Sequence, residues 1–356
     1  MSAQGDGHVD PVAATIDDLD AAWLSAALGT DVASVDAARV GTGQIGATYR
    51  LDLTYTGGAR GPASLVAKLA AEDAESRARV ADGYRKEVGF YTHLASTVTV
   101  RTPRCWYAAI ADDATTFTLL LDDLAPARAG VQADACSIDA AEAAVRNLVG
   151  LHAPRWNDGS LDEHAFLGRI DADAAGFLGA IHVQATEQFV ARYADELDDA
   201  DVATLRASAE ATTAWYTTRL EPRAIVHGDY RLDNLMFGPD GSVSAVDWQT
   251  VSVGPPARDL AYFLGTSLTV ADRRTHEDAL VAGYYRGVVD AGVRGYDAAD
   301  GVLDYRLGQL QGPLITVLGS EYATAVRTPA ADGMFLAMAR RSCAAVRDLA
   351  SLDLVS

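Results

Sequence analysis

Lysine is almost missing from this chain: arginine supplies nearly all of its 29 basic side chains, and only Lys68 and Lys86 carry an ammonium. Basic charge of any kind is short. A net charge of -20 excludes the usual electrostatics of nucleic-acid binding, which needs Lys and Arg to neutralise phosphates. Cysteine is scarce too. Cys105, Cys136 and Cys343 are odd in number and scattered, with neither metal-ligand spacing nor a disulfide framework, so a reducing cytoplasm is the expected location. No apolar run reaches the roughly 18 residues that span a bilayer, so no membrane partner is expected. Met1 to Pro11 lacks a basic-then-apolar signal pattern, and residues 1–14 read as a loose tail. Internal repeats and low-complexity tracts are likewise missing. What remains is a soluble composition, 49% hydrophobic and 22% charged over 356 residues, enough for two domains or one two-lobed catalytic unit.

Residues 15–29 predict a short helix, with Thr15 as cap, Asp18 in the capping-box slot and Gly29 as stop. From Val40 the period changes to two. Tyr49, Leu51, Leu53 and Tyr55 alternate with polar neighbours, Thr56-Gly57-Gly58 reads as a turn, and Ala63 to Leu69 as the returning strand. Residues 72–96 predict a helix broken or eased near Gly83, and Cys105–Ile110 with Phe117–Leu121 a second pair of strands across Asp112-Asp113. Beyond Pro126 the spacing is helical at 138–152, 171–196 and 200–220, and again from 257, around a β-like interlude at 224–252. The expected architecture is α+β and two-lobed: a small β-rich N-terminal lobe with one main helix, residues 1–124, and a larger, mostly helical lobe, 125–356.

Gly41, Gly43 and Gly46 spell G-x-G-x-x-G. In a dinucleotide-binding unit that motif opens a helix; in a kinase-type lobe it is a hairpin over the ATP phosphates. A strand pattern follows here, which favours the second, although a glycine-rich hairpin can also serve turn geometry alone. Lys68, in Leu65-Val-Ala-Lys68, sits one strand later, where a lysine can meet the α- and β-phosphates; its alternative is an ordinary strand lysine. Its carboxylate partner is expected from the next helix, at Glu87, with Glu75 as the fallback.

The most specific stretch is His227-Gly-Asp-Tyr-Arg-Leu-Asp-Asn234, followed by Ser244-Ala-Val-Asp247-Trp-Gln249. Phosphoryl transfer from ATP needs a divalent metal on the β- and γ-oxygens and a group that orients the acceptor. Mg²⁺ takes hard oxygen ligands and keeps several waters, so a carboxylate and an amide suffice. Asp229 and Asn234 offer a base and a ligand from one loop; Asp247 offers the second ligand from the end of a short apolar strand.

With these pieces in place, the chain resembles the aminoglycoside phosphotransferase and choline kinase superfamily, which has a protein-kinase-like fold. The matching residues are Gly41–Gly46, Val66-Ala-Lys68, Arg85–Tyr91, Leu119–Leu124, Leu148–His152, His227-Gly-Asp229, Asn234, Asp247-Trp-Gln249 and Asp259-Leu-Ala261. The resemblance implies Asp229 as catalytic base and Asn234 and Asp247 as metal ligands. It implies a hinge over Leu121–Leu124, with Asp122 and Leu124 meeting adenine. His227 would brace the loop, and Asp259 would bond it from a helix start. Arg231 would stand where protein kinases carry a lysine on the γ-phosphate. Asp-Trp-Gln departs from Asp-Phe-Gly and no Ala-Pro-Glu follows, which argues against a protein kinase. Gln249 and the Gly41–Tyr49 stretch resemble the ecdysteroid-kinase-like branch.

The implied function is transfer of the ATP γ-phosphoryl, with Mg²⁺, to a hydroxyl of a small molecule. Its alternatives are a nucleotide-binding pseudokinase acting as scaffold or sensor, and a dinucleotide-dependent oxidoreductase. His93, His152 and His182, and Trp106, Trp156 and Trp215, read as packing or surface residues. Neither the acceptor nor the oligomeric state is encoded in any spacing.

Overall fold

The computed structural model describes residues 11–40, 46–168, 171–323 and 327–355. It divides into two units: Met1–Leu94 with Pro103–Ala125, and Ala95–Thr102 with Pro126–Ser356.

The first unit is an antiparallel sheet of β1 (Val32–Arg39), β2 (Gly46–Tyr55), β3 (Ser64–Ala70), β4 (Cys105–Ile110) and β5 (Phe117–Asp122), in the order β1-β2-β3-β5-β4. Period-two alternation decides its faces. Leu65, Ala67 and Leu69 of β3 point with Leu51, Leu53 and Leu120 into a core closed by Trp23 and Leu24 of α1 (Ala21–Leu28). Lys68 therefore falls on the opposite face, the side of Glu87 from α2 (Ala74–Gly89).

Three local expectations are corrected here. The helix foreseen over 15–29 splits into a 3-10 turn, Ile16–Asp18, and α1, because the Asp20 side chain accepts from Trp23 N and restarts the helix. Residues 11–14 are docked, not loose: Ala13 exchanges two hydrogen bonds with the Thr118 hydroxyl, and Tyr107 donates to Pro11 O. α2 runs unbroken through Gly83, since Tyr84 beside it is anchored in the core, accepting from Ala71 N and packing on Phe117. The irregularity comes later, as a π-turn at Phe90–Leu94. β1 was not foreseen. Its small residues show little alternation, and only pairing with β2 makes it a strand.

The second unit carries α3 (Ile138–His152), α4 (Ala172–Arg192), α5 (Asp199–Thr217), α6 (Ala257–Ser267), α7 (Val270–Asp290), α8 (Ala298–Gly308), α9 (Gln311–Leu318) and α10 (Pro329–Asp348). Two small sheets sit among them: β6 (Arg128–Ala129) with β8 (Leu235–Phe237) and β9 (Val243–Ala245), and β7 (Ala224–Val226) with β10 (Ser252–Gly254). Residues 95–102 belong here because their backbone is tied to α3 and β9: Thr99 N donates to Gly150 O, Arg101 N to the Asn147 side chain, and Ala245 N to Arg101 O. Among the described residues no helix is long and apolar enough to cross a membrane.

His182, on α4, is fully buried against Thr212 of α5, its Nδ1 lying 2.7 Å from Thr212 Oγ1. Burial pushes its imidazole down to about 4. Above the unfolded pKa of about 6.5 both states are neutral and the group adds no pH dependence. As pH falls from there towards 4, only the unfolded chain takes the proton, so stability should fall by about 3 kcal/mol and then level off. Urea midpoints at pH 7.5, 6, 5 and 4 should show this drop in the native chain, and a smaller one in His182→Gln.

Candidate active site

In the first unit, Lys68 Nζ lies 2.5 Å from Glu87 Oε1, with the glutamate completely buried. Glu75, the fallback partner, is instead solvent-exposed and near Arg79. A carboxylate at no exposure is stable only with its cation in place, so the pair fixes the lysine. Glu87→Gln keeps the shape and removes the anion that Lys68 faces, so stability should fall by about 1–3 kcal/mol, as read from urea midpoints.

Gly46, at the start of β2, approaches β3 so closely that a Cβ would sit 2.7 Å from Leu69 O. Gly41 and Gly43 lie outside the described residues. In the foreseen hinge, the Asp122 carboxylate accepts from Trp106 Nε1 at 2.7 Å and its N–H donates to Arg104 O. Asp122 thus spends both groups on the sheet. No hydrogen bond engages Leu124 N–H among the described residues, which leaves it open to a ligand.

In the second unit, β7 is three fully buried residues, and they deliver His227-Gly228-Asp229 at a fixed place. Gly228 has φ +82°, and a Cβ there would lie 2.7 Å from Thr250 O, so only glycine makes this turn. Asp259, in the first turn of α6 and 1% exposed, accepts from His227 N at 2.6 Å and Gly228 N at 2.9 Å. His227 is fully buried; its Nε2–H donates to Val246 O at 3.0 Å and its Nδ1 accepts from Asp229 N at 3.3 Å. Both nitrogens are committed to the backbone, so this imidazole braces the loop.

The Asp229 carboxylate is a quarter exposed and surrounded by donors. Tyr262 O–H donates to Oδ1 at 2.8 Å, Asn234 Nδ2 to Oδ2 at 2.9 Å, and Arg231 Nε stands 3.3 Å from Oδ2. Arg231 also reaches Asp233 at 3.5 Å and the sulfur of Met334 on α10. Burial works against its charge, but Asp229, Tyr262, Asp233 and Asp247 together hold its pKa above the ordinary arginine value.

Asn234 spends its Nδ2 on Asp229, donating also to the Asp229 backbone oxygen, which leaves its amide oxygen as the atom for a cation. Its backbone oxygen accepts from Val246 N, so Asp247 follows directly across the β8–β9 hairpin. Asp247 has φ +66°, a left-handed conformation that costs a non-glycine residue energy and clusters at functional sites. No group of three or more His, Cys, Asp or Glu is gathered for a metal among the described residues. One carboxylate and one amide oxygen are still a fitting set for Mg²⁺, which keeps waters and shares phosphate oxygens.

Three residues around this loop were not singled out from the sequence. Gln132, fully buried, accepts from Leu232 N through Oε1 while its backbone N–H donates to Asp233; Gln311 donates to Gly228 O. Only long-range folding brings these to the loop. Tyr262 had a signal: it lies three residues after Asp259, on the same side of one helix.

The profile of the phosphotransferase enzyme family matches residues 36–301. Solved structures of a choline kinase, an ethanolamine kinase and an aminoglycoside 2'-phosphotransferase share the fold. Choline kinase from Cryptosporidium parvum aligns with a TM-score of 0.55 at 8% identity, covering 90% of this chain and 91% of that one. Ethanolamine kinase from Plasmodium vivax aligns at 0.54 and 12% identity, covering 89% and 83%. At such identities the likeness is one of fold. Among curated relatives, acyl-CoA dehydrogenase family member 11 of Gallus gallus is 37% identical over 67 residues, covering 16% of this chain and 9% of that protein. The chain thus spans under a tenth of that relative's length. The fold is that of the kinase-like structures, and with the profile running through both units, from residue 36 to 301, the chain belongs to the phosphotransferase enzyme family.

Proposed function

We propose that the protein transfers the γ-phosphoryl group of ATP to a hydroxyl of a small molecule. The observation that supports this most is one loop on a phosphotransferase-family fold. It holds a partly exposed carboxylate, Asp229, against Asn234, with the strained Asp247 next across the hairpin. Asp229 orients the acceptor hydroxyl and takes its proton as the oxygen attacks the γ-phosphorus; the bond to the bridging oxygen breaks and ADP leaves. Such a transition state is loose, so positioning carries more of the rate than proton affinity does.

Arg231, held cationic beside Asp229, offers charge to the equatorial oxygens. The Asn234 amide oxygen and the Asp247 carboxylate would hold Mg²⁺, whose contribution when bound is to neutralise the β- and γ-phosphate oxygens. The nucleotide-binding share falls on Lys68 with Glu87, on the glycine motif that ends at Gly46, and on the Leu124 backbone at adenine.

The test is ATP consumption with Mg²⁺ across amino sugars, amino alcohols, nucleosides and sterols. Hydroxyacyl thioesters join the panel because the curated relatives are named for acyl-CoA chemistry. Acceptor-dependent ADP release that Asp229→Ala abolishes supports the reading. Consumption that persists unchanged in that variant overturns it.

A further inference from the structure

We propose that Tyr262 is a positioning residue for the transfer: its hydroxyl sets the orientation of the Asp229 carboxylate towards the acceptor. The inference rests on the reading of Asp229 given above. On Oδ2 the Asn234 amide donates at 2.9 Å, and the Arg231 guanidinium flanks the same oxygen as an ion-pair neighbour, its Nε 3.3 Å away without a hydrogen bond. Oδ1 takes one, the Tyr262 O–H at 2.8 Å. A carboxylate oxygen can accept two hydrogen bonds. Both oxygens keep capacity, but Oδ2 is flanked by the Arg231 guanidinium, so Oδ1 is the less crowded atom for an incoming hydroxyl, and Tyr262 is the one hydrogen-bond donor that fixes it among the described residues.

The tyrosine is suited to that task by its rigidity. It is fully buried on α6 and packs with Phe189 of α4, Val317 of α9 and Met338 of α10. Burial first, and the Asp229 charge beside it, push its phenol well above the ordinary value, so it stays a donor. One helix turn away, Asp259 holds the backbone of the same loop through His227 N and Gly228 N. A single buried helix thus fixes both the main chain that carries Asp229 and the carboxylate itself, which is how a reacting group is kept within a fraction of an ångström. A hydroxyl that merely satisfied itself on the nearest carboxylate would leave turnover untouched when removed, because the ring does the packing.

Tyr262→Phe keeps the ring and deletes the hydroxyl. With Mg·ATP as substrate and water as the acceptor, kcat should fall about tenfold, with KM and Kd for ATP within about twofold of the native chain. The melting temperature, measured alongside, separates folding from turnover. In an Asp229→Ala background, followed by single-turnover release of labelled phosphate, the same substitution should change the residual rate less than twofold, since Tyr262 acts through Asp229. An inactive Asp229→Ala together with an unaltered kcat in Tyr262→Phe overturns the inference alone. So does a tenfold effect that persists in the Asp229→Ala background. An Asp229→Ala variant that keeps its full rate overturns the underlying reading instead.

Discussion

Replacing Asp229 with alanine should slow phosphoryl transfer by about three orders of magnitude, within the range that general base catalysis supplies, while ATP binding and folding survive. The loop is held from elsewhere. Asp259 bonds its backbone twice, His227 bonds Val246 O, and Thr250 bonds His227 O at 2.7 Å. None of these contacts uses the Asp229 side chain. Arg231 loses one carboxylate at 3.3 Å and keeps Asp233 at 3.5 Å, and Tyr262 loses its acceptor. A local loss of about 1–3 kcal/mol is the scale set by a buried donor left unpaired, small enough to leave the chain folded.

Asparagine is the less clean choice at this position. Its NH₂ would face a shell made of donors, the Asn234 amide, the Tyr262 hydroxyl and the Arg231 guanidinium, and at least one of them would have to turn away. Single-turnover rates, ATP titration and thermal melting on the same preparation separate the three effects. A rate within tenfold of the native chain would remove Asp229 from the role of base.

The residues that carry this prediction were open to reading in the sequence, and their surroundings were not, for a physical reason. Asp229, Asn234 and Asp247 are spaced along one loop and hairpin, so their proximity is local and order alone reveals it. β2 and β3 are similarly legible, because burial of one sheet face writes period two into Leu51, Leu53, Leu65 and Leu69. β1 has no such record. Its residues are mostly small or polar, and it is a strand only because β2 offers it a ladder. The docking of residues 11–14 rests on the hydroxyls of Thr118 and Tyr107, about a hundred positions away. Gln132 reaches Leu232 across a hundred positions in the same manner. Tyr262 stands between these cases: helical spacing ties it to Asp259, but its link to Asp229 exists only once α6 has packed. What one sequence conceals is whichever contact needs the finished core.

Asp259 gives the largest expected effect on folding. It sits at the end of a polar chain that starts on α7. Tyr284 is fully buried, and burial pushes its phenol well above the ordinary value, so it donates to His152 Nδ1 at 2.6 Å. That leaves the His152 Nε2–H to donate to Asp259 Oδ2 at 3.3 Å, beside the two backbone N–H groups of the loop. Asp259→Ala leaves three donors buried without an acceptor and opens a cavity. At about 1–3 kcal/mol for each orphaned group, partly relieved by relaxation, the loss should reach about 4 kcal/mol. That is a large part of the 5–15 kcal/mol (roughly) that keeps a domain folded.

Asp259→Asn separates this stability from function. Its carbonyl oxygen can serve one of the loop amides, but its NH₂ then meets the other donor, so about half of the loss remains and the His227–Asp229 backbone must shift. Urea midpoints should therefore fall in the order native, asparagine, alanine at constant m-value. The folded asparagine variant should also turn over Mg·ATP about a hundredfold more slowly, because a displacement near 1 Å at the reacting carboxylate costs about that much. A native midpoint and rate in Asp259→Asn would mean that the loop holds its own geometry, and that α6 only packs behind it.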